Sequence, residues 1–387
     1  MTNNLKRSTT DASTDRLSSL FKVPMTKKAE GSKAHYQKVL GSICDELMND
    51  YDLVIGFDDI DRSNQEHDTD PDSANINKRQ KQLRYSLLEV EVYFKTSPEY
   101  HHDDPYTHAH PLQYQNAVWY FHHVGHSNGF RGGSRKGMDV TLVGVDDTGA
   151  IKNLAHAGGG GGILIRAVQC TTTNKVIEGP SLLMDLILKS LGHTSIKAMV
   201  ANGFEKGNAQ PCFDKSSGLF FAPKIQHYQH REELLTSCRI GLGLKNHTPS
   251  MEKRLAYVCR SYRFVAHPRL LKKGKIWTIL EMIQRQHQHQ QQEQLDMEKK
   301  TKRQKGISSS ASSSWVDLLD IKDSMVKSYE EQVVFGRTNA VKILKSCRKG
   351  SLNDIVQGNS GWKLQVMSAI MWWESQISNG KHVDLGV

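Results

Sequence analysis

The chain has 387 residues, with 51 Lys and Arg against 41 Asp and Glu, giving a formal net charge of +10. Its 37% hydrophobic content and mean hydropathy of −0.54 are low for a fully globular chain, and predict one folded domain with polar appendages. No run of about 18 apolar residues occurs, which excludes a helical membrane span, and the basic excess favours a polyanionic partner.

Residues 1–33 read as a polar, disordered tail without the apolar stretch of a secretory signal. Residues 34–49 carry Val39, Leu40, Ile43 and Leu47 at helical spacing. Residues 58–81 are acidic, then basic, and read as a long surface loop. The stretch YSLLEVEVYF (85–94) alternates and predicts a strand. Leu88, Val90, Val92 and Phe94 fall on one face; Glu89, Glu91 and Tyr93 fall on the other.

A His- and Pro-rich loop (98–111) leads to a short aromatic strand, NAVWYFHH, and then to the Gly/Arg turn GFRGGSRKG. The alternating strand MDVTLVGV follows. The pentaglycine 158–162 reads as a low-complexity loop before the strand GILIRAV. GPSLLMDLILKSLG predicts a helix with Ser181 at the N-cap and Gly192 past its end. Further strands are expected around Phe220, over CRIGLGL (238–244) and over SYRFVAHP (261–268). Residues 284–314 read as a low-complexity linker, and 315–387 as a helical extension that either packs back or binds a protein partner.

The six cysteines (Cys44, Cys170, Cys212, Cys238, Cys259, Cys347) are too scattered for a disulfide framework or a zinc knuckle, and read as reduced intracellular thiols.

Four groups of residues can carry chemistry. Glu89, Glu91 and Tyr93 share a strand face, which is either solvated or lines a cleft; a desolvated carboxylate there can act as acid or base. Arg166 interrupts an apolar strand and needs a partner, for which Glu89 or Glu91 is the natural candidate. The outcome is a structural ion pair or an oriented site. Seven histidines (His101, His102, His108, His110, His122, His123, His126) are dense enough to suggest metal ligands, yet no HExxH or other firm spacing is present. Arg131, Arg135 and Lys136 lie among glycines that allow close phosphate approach, without the P-loop pattern. There is no GxSxG nucleophile elbow. KKTKRQK (299–305) reads as a nuclear localisation signal or a solubilising run.

Taken in order, EVEVY (89–93), THA (107–109), GILIRAV (162–168), EGPSLL (178–183) and CRIGLG (238–243) with SYRFVAHP resemble blocks of the alkyladenine (3-methyladenine) DNA glycosylase family. The resemblance spans about residues 40–270. It implies an α+β fold, one domain over 34–272 around a curved antiparallel sheet with flanking helices, and metal-free, cofactor-free hydrolysis of an N-glycosidic bond in DNA. Carried over, Glu91 positions the attacking water, Arg166 orients Glu91, and Tyr93 and His108 flank the flipped base. A nuclear or otherwise intracellular monomer follows as the expectation. Where the family has an aromatic wedge in Tyr-Gly-Met, this sequence has Lys136, Gly137 and Met138, and DVTLVG offers only Asp139 and Thr141 for base checking. The expectation is a divergent member of the family acting on a damaged, alkylated base in duplex or single-stranded DNA. The alternatives are a non-catalytic nucleic-acid-binding protein and a metal-dependent hydrolase built on His101, His102, His108 and His110.

Overall fold

A computed structural model of the chain describes residues 9–57, 82–124, 129–225, 231–244, 251–300, 319–348 and 359–383. The acidic-basic loop (58–81), His126, and the linker residues 301–314 lie outside them. The chain divides into two compact units: Met1–Leu234 with Phe264–Ala266, and Leu235–Arg263 with His267–Val387.

The first unit is mixed α and β with an antiparallel-rich sheet, which is the fold class expected. Its longest ladder joins β3 (Leu83–Thr96) to β7 (Gly159–Cys170), and β5 (Met138–Val145) continues the sheet beyond β7. β2 (Tyr51–Ile55) pairs with β3 and with β9 (Leu219–Pro223), while β4 (Trp119–Phe121) and β6 (Ile151–Lys152) pair with β5. β8 (Val176–Glu178) pairs with β7. All of these pairings are antiparallel.

Helix α2 (Ser32–Asp50) buries Tyr36, Leu40, Ile43, Cys44, Leu47 and Met48, one stripe at helical spacing. It packs on β3, whose Leu88, Val90, Val92 and Phe94 are all fully buried. The Tyr36 and Phe94 rings sit 6.2 Å apart, and the Tyr36 hydroxyl donates to the Tyr100 carbonyl at 2.8 Å. Each such side chain contributes about 1.5–3 kcal/mol on burial. The apolar half of the β3 alternation is therefore the core of this unit.

Several expectations are corrected. Residues 9–24 are not a featureless tail: Thr9–Leu20 forms helix α1, and Lys22–Pro24 forms β1, the one parallel neighbour of β5 among the described residues. Leu17, Phe21, Val23 and Met25 are buried, and these few apolar anchors dock an otherwise polar segment. The glycines 159–162 lie inside β7 rather than in a loop. They are small because neighbours press in: a Cβ on Gly159 would stand 2.7 Å from the Phe94 ring, one on Gly162 2.8 Å from Asp139 Cβ, and one on Gly161 would overlap the Tyr93 carbonyl oxygen.

Helix α3 (Pro180–Ser190) is capped by Gly179, with Pro180 in its first turn; Ser181 instead donates from Oγ to the Gly133 carbonyl at 2.8 Å. Gly192 does take the left-handed conformation just past the helix, with φ of 74°. A short helix α4 (Ile196–Asn202) follows, N-capped by Ser195.

The second unit begins with β10 (Leu235–Ser237), so the strand expected over 238–244 ends where it was expected to start; Gly241, at φ of 80°, turns the chain there. Helix α5 (Met251–Val258) precedes β11 (Arg263–Val265), whose last two residues belong to the first unit. Helix α6 (Lys275–Lys300) runs through residues assigned to the linker, anchored by buried Trp277, Ile279, Leu280 and Ile283 at its start. The helical extension comprises α7 (Asp323–Thr338), α8 (Ala340–Arg348) and α9 (Ser360–Ser378). Gly336 lets α7 meet α9, because a Cβ there would overlap Ser368 Oγ and the Gln365 carbonyl.

Candidate functional site

Opposite the α2-covered face, the sheet carries polar groups on three neighbouring strands. Glu91 is paired in register with Leu164, and Leu164 with Asp139. Register partners point to the same side, so Glu91 and Asp139 share a face at a Cα separation of about 10 Å, two strand spacings. Tyr93, Gly162 and Thr141 form the next row, and Tyr120 of β4 lies beside Asp139.

The β3–β7 ladder is irregular at one place, between Leu87 and Val90, where the pairing steps past Leu88 and Arg166. A bulge re-aims the side chains beside it. Here Arg166 Nε donates to Glu89 Oε1 at 2.9 Å, and Nη1 to Glu91 Oε2 at 3.2 Å. The Tyr93 hydroxyl donates to the same Glu91 oxygen at 2.7 Å. Both carboxylate side chains are nearly sealed, at 2% and 0% exposure for Glu89 and Glu91, against 13% for Arg166. Burial opposes the guanidinium charge, but Glu91 and Glu89 outweigh it and raise the Arg166 pKa above its usual value. The cation is fixed, and it holds two carboxylates in place.

A second cluster is built around Asp139, itself 1% exposed. Gln113 Nε2 donates to its Oδ2 at 3.2 Å, and His122 Nε2 lies 2.9 Å from its Oδ1. His108 stands against His122 with ring centres 5.1 Å apart, and 6.3 Å from Tyr120. Burial, then the neighbouring His122, lower the His108 pKa to about 4; Asp139 opposes that shift only in part. His108 is thus neutral at neutral pH. Burial, reinforced by Asp139, raises the Tyr120 phenol, which stays protonated.

Glu89, Glu91, Tyr93 and Arg166 therefore come together as expected, whereas His108 joins the Asp139 cluster. The Gly/Arg turn is largely committed to internal partners. Arg131 Nε donates to the His123 carbonyl at 2.8 Å, and Lys136 pairs with Asp185; Arg135 is exposed.

Of the remaining histidines, His110 and His123 lie against Tyr120, with ring centres 5.5 Å from it, while His101 and His102 lie elsewhere. His102 is buried 4.4 Å from the Tyr36 ring, His110 caps the turn Pro111–Tyr114 through Nδ1, His123 stacks on His110, and His101 is exposed. Among the described residues no group of three or more His, Cys, Asp or Glu is placed to hold a metal ion. The His-based metal hydrolase loses its ligand set. All six cysteines are buried free thiols.

Sequence reasoning did not assign Asp139, His122 and Gln113 as a unit. A signal existed for one of them: Asp139 sits alone in the apolar alternation of MDVTLVGV, where a charge needs partners. Gln113 comes from a distant loop, and nothing local marks it.

Among the described residues no helix is long and apolar enough to cross a membrane. No family model matches the chain, and no solved structure matches it. It is similar to an uncharacterized protein, L759, of Acanthamoeba polyphaga mimivirus, 27% identical over 193 residues that make up 50% of this chain and 81% of the viral protein.

Proposed function

We propose that this protein is a DNA-repair N-glycosylase-like hydrolase that releases a damaged base through water activated by Glu91. The observation that carries the reading is the meeting of Glu91, Tyr93 and Arg166, from two separate sequence blocks, at the irregular point of the β3–β7 ladder. In the proposed reaction Glu91 takes a proton from water as its oxygen bonds to the sugar C1′. The C1′–N bond breaks, the base leaves with the electron pair and takes a proton from solvent, and Glu91 returns its proton to solvent. Arg166 orients Glu91 through its hydrogen bond, and a carboxylate beside an oxocarbenium-like sugar lowers the barrier electrostatically. Tyr93 and neutral His108 supply flat faces for the base. DNA, and an intracellular, nuclear setting suggested by residues 299–305, complete the reading.

A second reading is a non-catalytic nucleic-acid-binding protein on the same frame. The closure of Glu91, at 0% exposure, favours it, because a sealed carboxylate has to be uncovered before it meets water. A base-release screen over alkylated, deaminated and oxidised DNA and free nucleosides separates the two. Release of any modified base supports hydrolysis; salt-dependent binding with no release supports the second reading.

A further inference from the structure

The second unit contains a cavity of about 700 Å³ that plays no part in the Glu91 chemistry. Its walls come from α7, α8 and α9 and include Arg337, Asn339, Lys342, Lys345, Ser346 and Trp372. Among the described residues that line it, three are cationic and none is acidic.

The arrangement follows from the amphipathic pattern of α8. Ile343, Leu344 and Cys347 are buried, whereas Lys342, Lys345 and Ser346 are exposed at i, i+3 and i+4, on one face. The first turn of α8 adds the positive end of its dipole. Arg337, at the end of α7, is half-buried and hydrogen-bonds two uncharged partners: Gln284, and His287 Nδ1 at 3.0 Å. Burial lowers the Arg337 pKa and, with Arg337 beside it, that of His287. On α9, Trp373 turns into the core at 8% exposure, while Trp372 stays partly exposed and forms cavity wall.

A solvated helix face would account for the two lysines alone. It does not account for a concave site that also holds a desolvated guanidinium and an indole. Clustered cations beside an accessible aromatic ring are the elements that bind phosphate and stack a base, and single-stranded nucleic acid offers both at adjacent positions. An acidic peptide would satisfy the cations and leave the indole unused. We propose that this cavity binds single-stranded nucleic acid, with phosphates on Lys342, Lys345 and Arg337 and one base stacked on Trp372. This site stands apart from the Glu91 reading and does not depend on it.

The test is fluorescence anisotropy of a labelled oligo(dT) titrated with the full chain at several salt concentrations. Lys342→Gln/Lys345→Gln should weaken binding at least about tenfold and flatten the log K against log[salt] slope by about 1.4, the loss of two single-strand phosphate contacts. Trp372→Ala should weaken binding about fivefold or more, the low end of one stacked base, with little change in slope. Both lysines are exposed, so the double variant should keep the wild-type thermal transition. Single Lys345→Gln, with about half the slope change, repeats the test if it does not. Absence of oligo(dT) binding by the wild type overturns the proposal, as does unchanged affinity and slope in the lysine variants. Equal binding of polyglutamate that is insensitive to Trp372→Ala also overturns it, in favour of an acidic protein segment.

Discussion

The two polar clusters on the sheet face are about two strands apart, yet they use charge differently. In the Glu89–Glu91–Arg166 group the cation is permanent, and burial sharpens its hold on the carboxylates. In the Asp139–His122–His108 group no permanent cation is present, and burial drives His108 to neutrality. The first cluster is built to keep its cation and one geometry. The second changes where His108 takes up a proton, at about pH 4. The lesson is that burial alone does not define a site; the kind of partner decides whether the group is locked or responsive.

The sharpest way to break the comparison is to remove the locked cation. Arg166→Ala leaves two buried carboxylates without their guanidinium and should cost about 3–5 kcal/mol of stability, read by urea denaturation. A loss under about 1 kcal/mol would mean that the carboxylates are not held as described. The second test is pH. His108 has a folded pKa of about 4 against an ordinary 6.5, so between those values the unfolded chain binds the extra proton. Its contribution is fully present above pH 6.5 and is lost as pH falls to about 4, by up to about 3 kcal/mol. His122, Asp139, Arg131 and His110 are the charged and titratable neighbours of that ring, and His108→Gln should remove this part of the slope while Arg166→Lys leaves it.

Gly162→Ala probes the seam between the clusters. Its Cβ would stand 2.8 Å from Asp139 Cβ, so overpacking should cost about 1–3 kcal/mol, checked by the thermal midpoint. Glu91→Gln is expected to be mildest for the fold, at about 1 kcal/mol, because the amide keeps the shape and a hydrogen bond to Tyr93.

Much of the first cluster was legible in the sequence. Alternation over 88–94 separates Glu89, Glu91 and Tyr93 from the core-facing residues, and one arginine in an apolar strand demands a carboxylate. What alternation cannot convey is the irregularity at Leu88 and Arg166 that lets one guanidinium reach both glutamates. The pentaglycine was misread because glycine has no side chain to carry a period, and its meaning lies in neighbours distant in sequence, Phe94, Asp139 and the Tyr93 carbonyl. Helix α1 was missed for a related reason: one buried leucine and three apolar residues after it anchor a polar segment, too few to give a stripe. The Asp139 cluster draws Gln113, His122 and His108 from loops, where no periodicity applies.

The measurement that bears most directly on the proposed activity is single-turnover base release from an alkylated duplex by wild-type protein and Glu91→Gln, alongside DNA binding by both. The account predicts release by the wild type, loss of at least about a hundredfold in the variant, unchanged binding, and a variant that stays folded. Equal release by the two proteins, or none by the wild type, would contradict it.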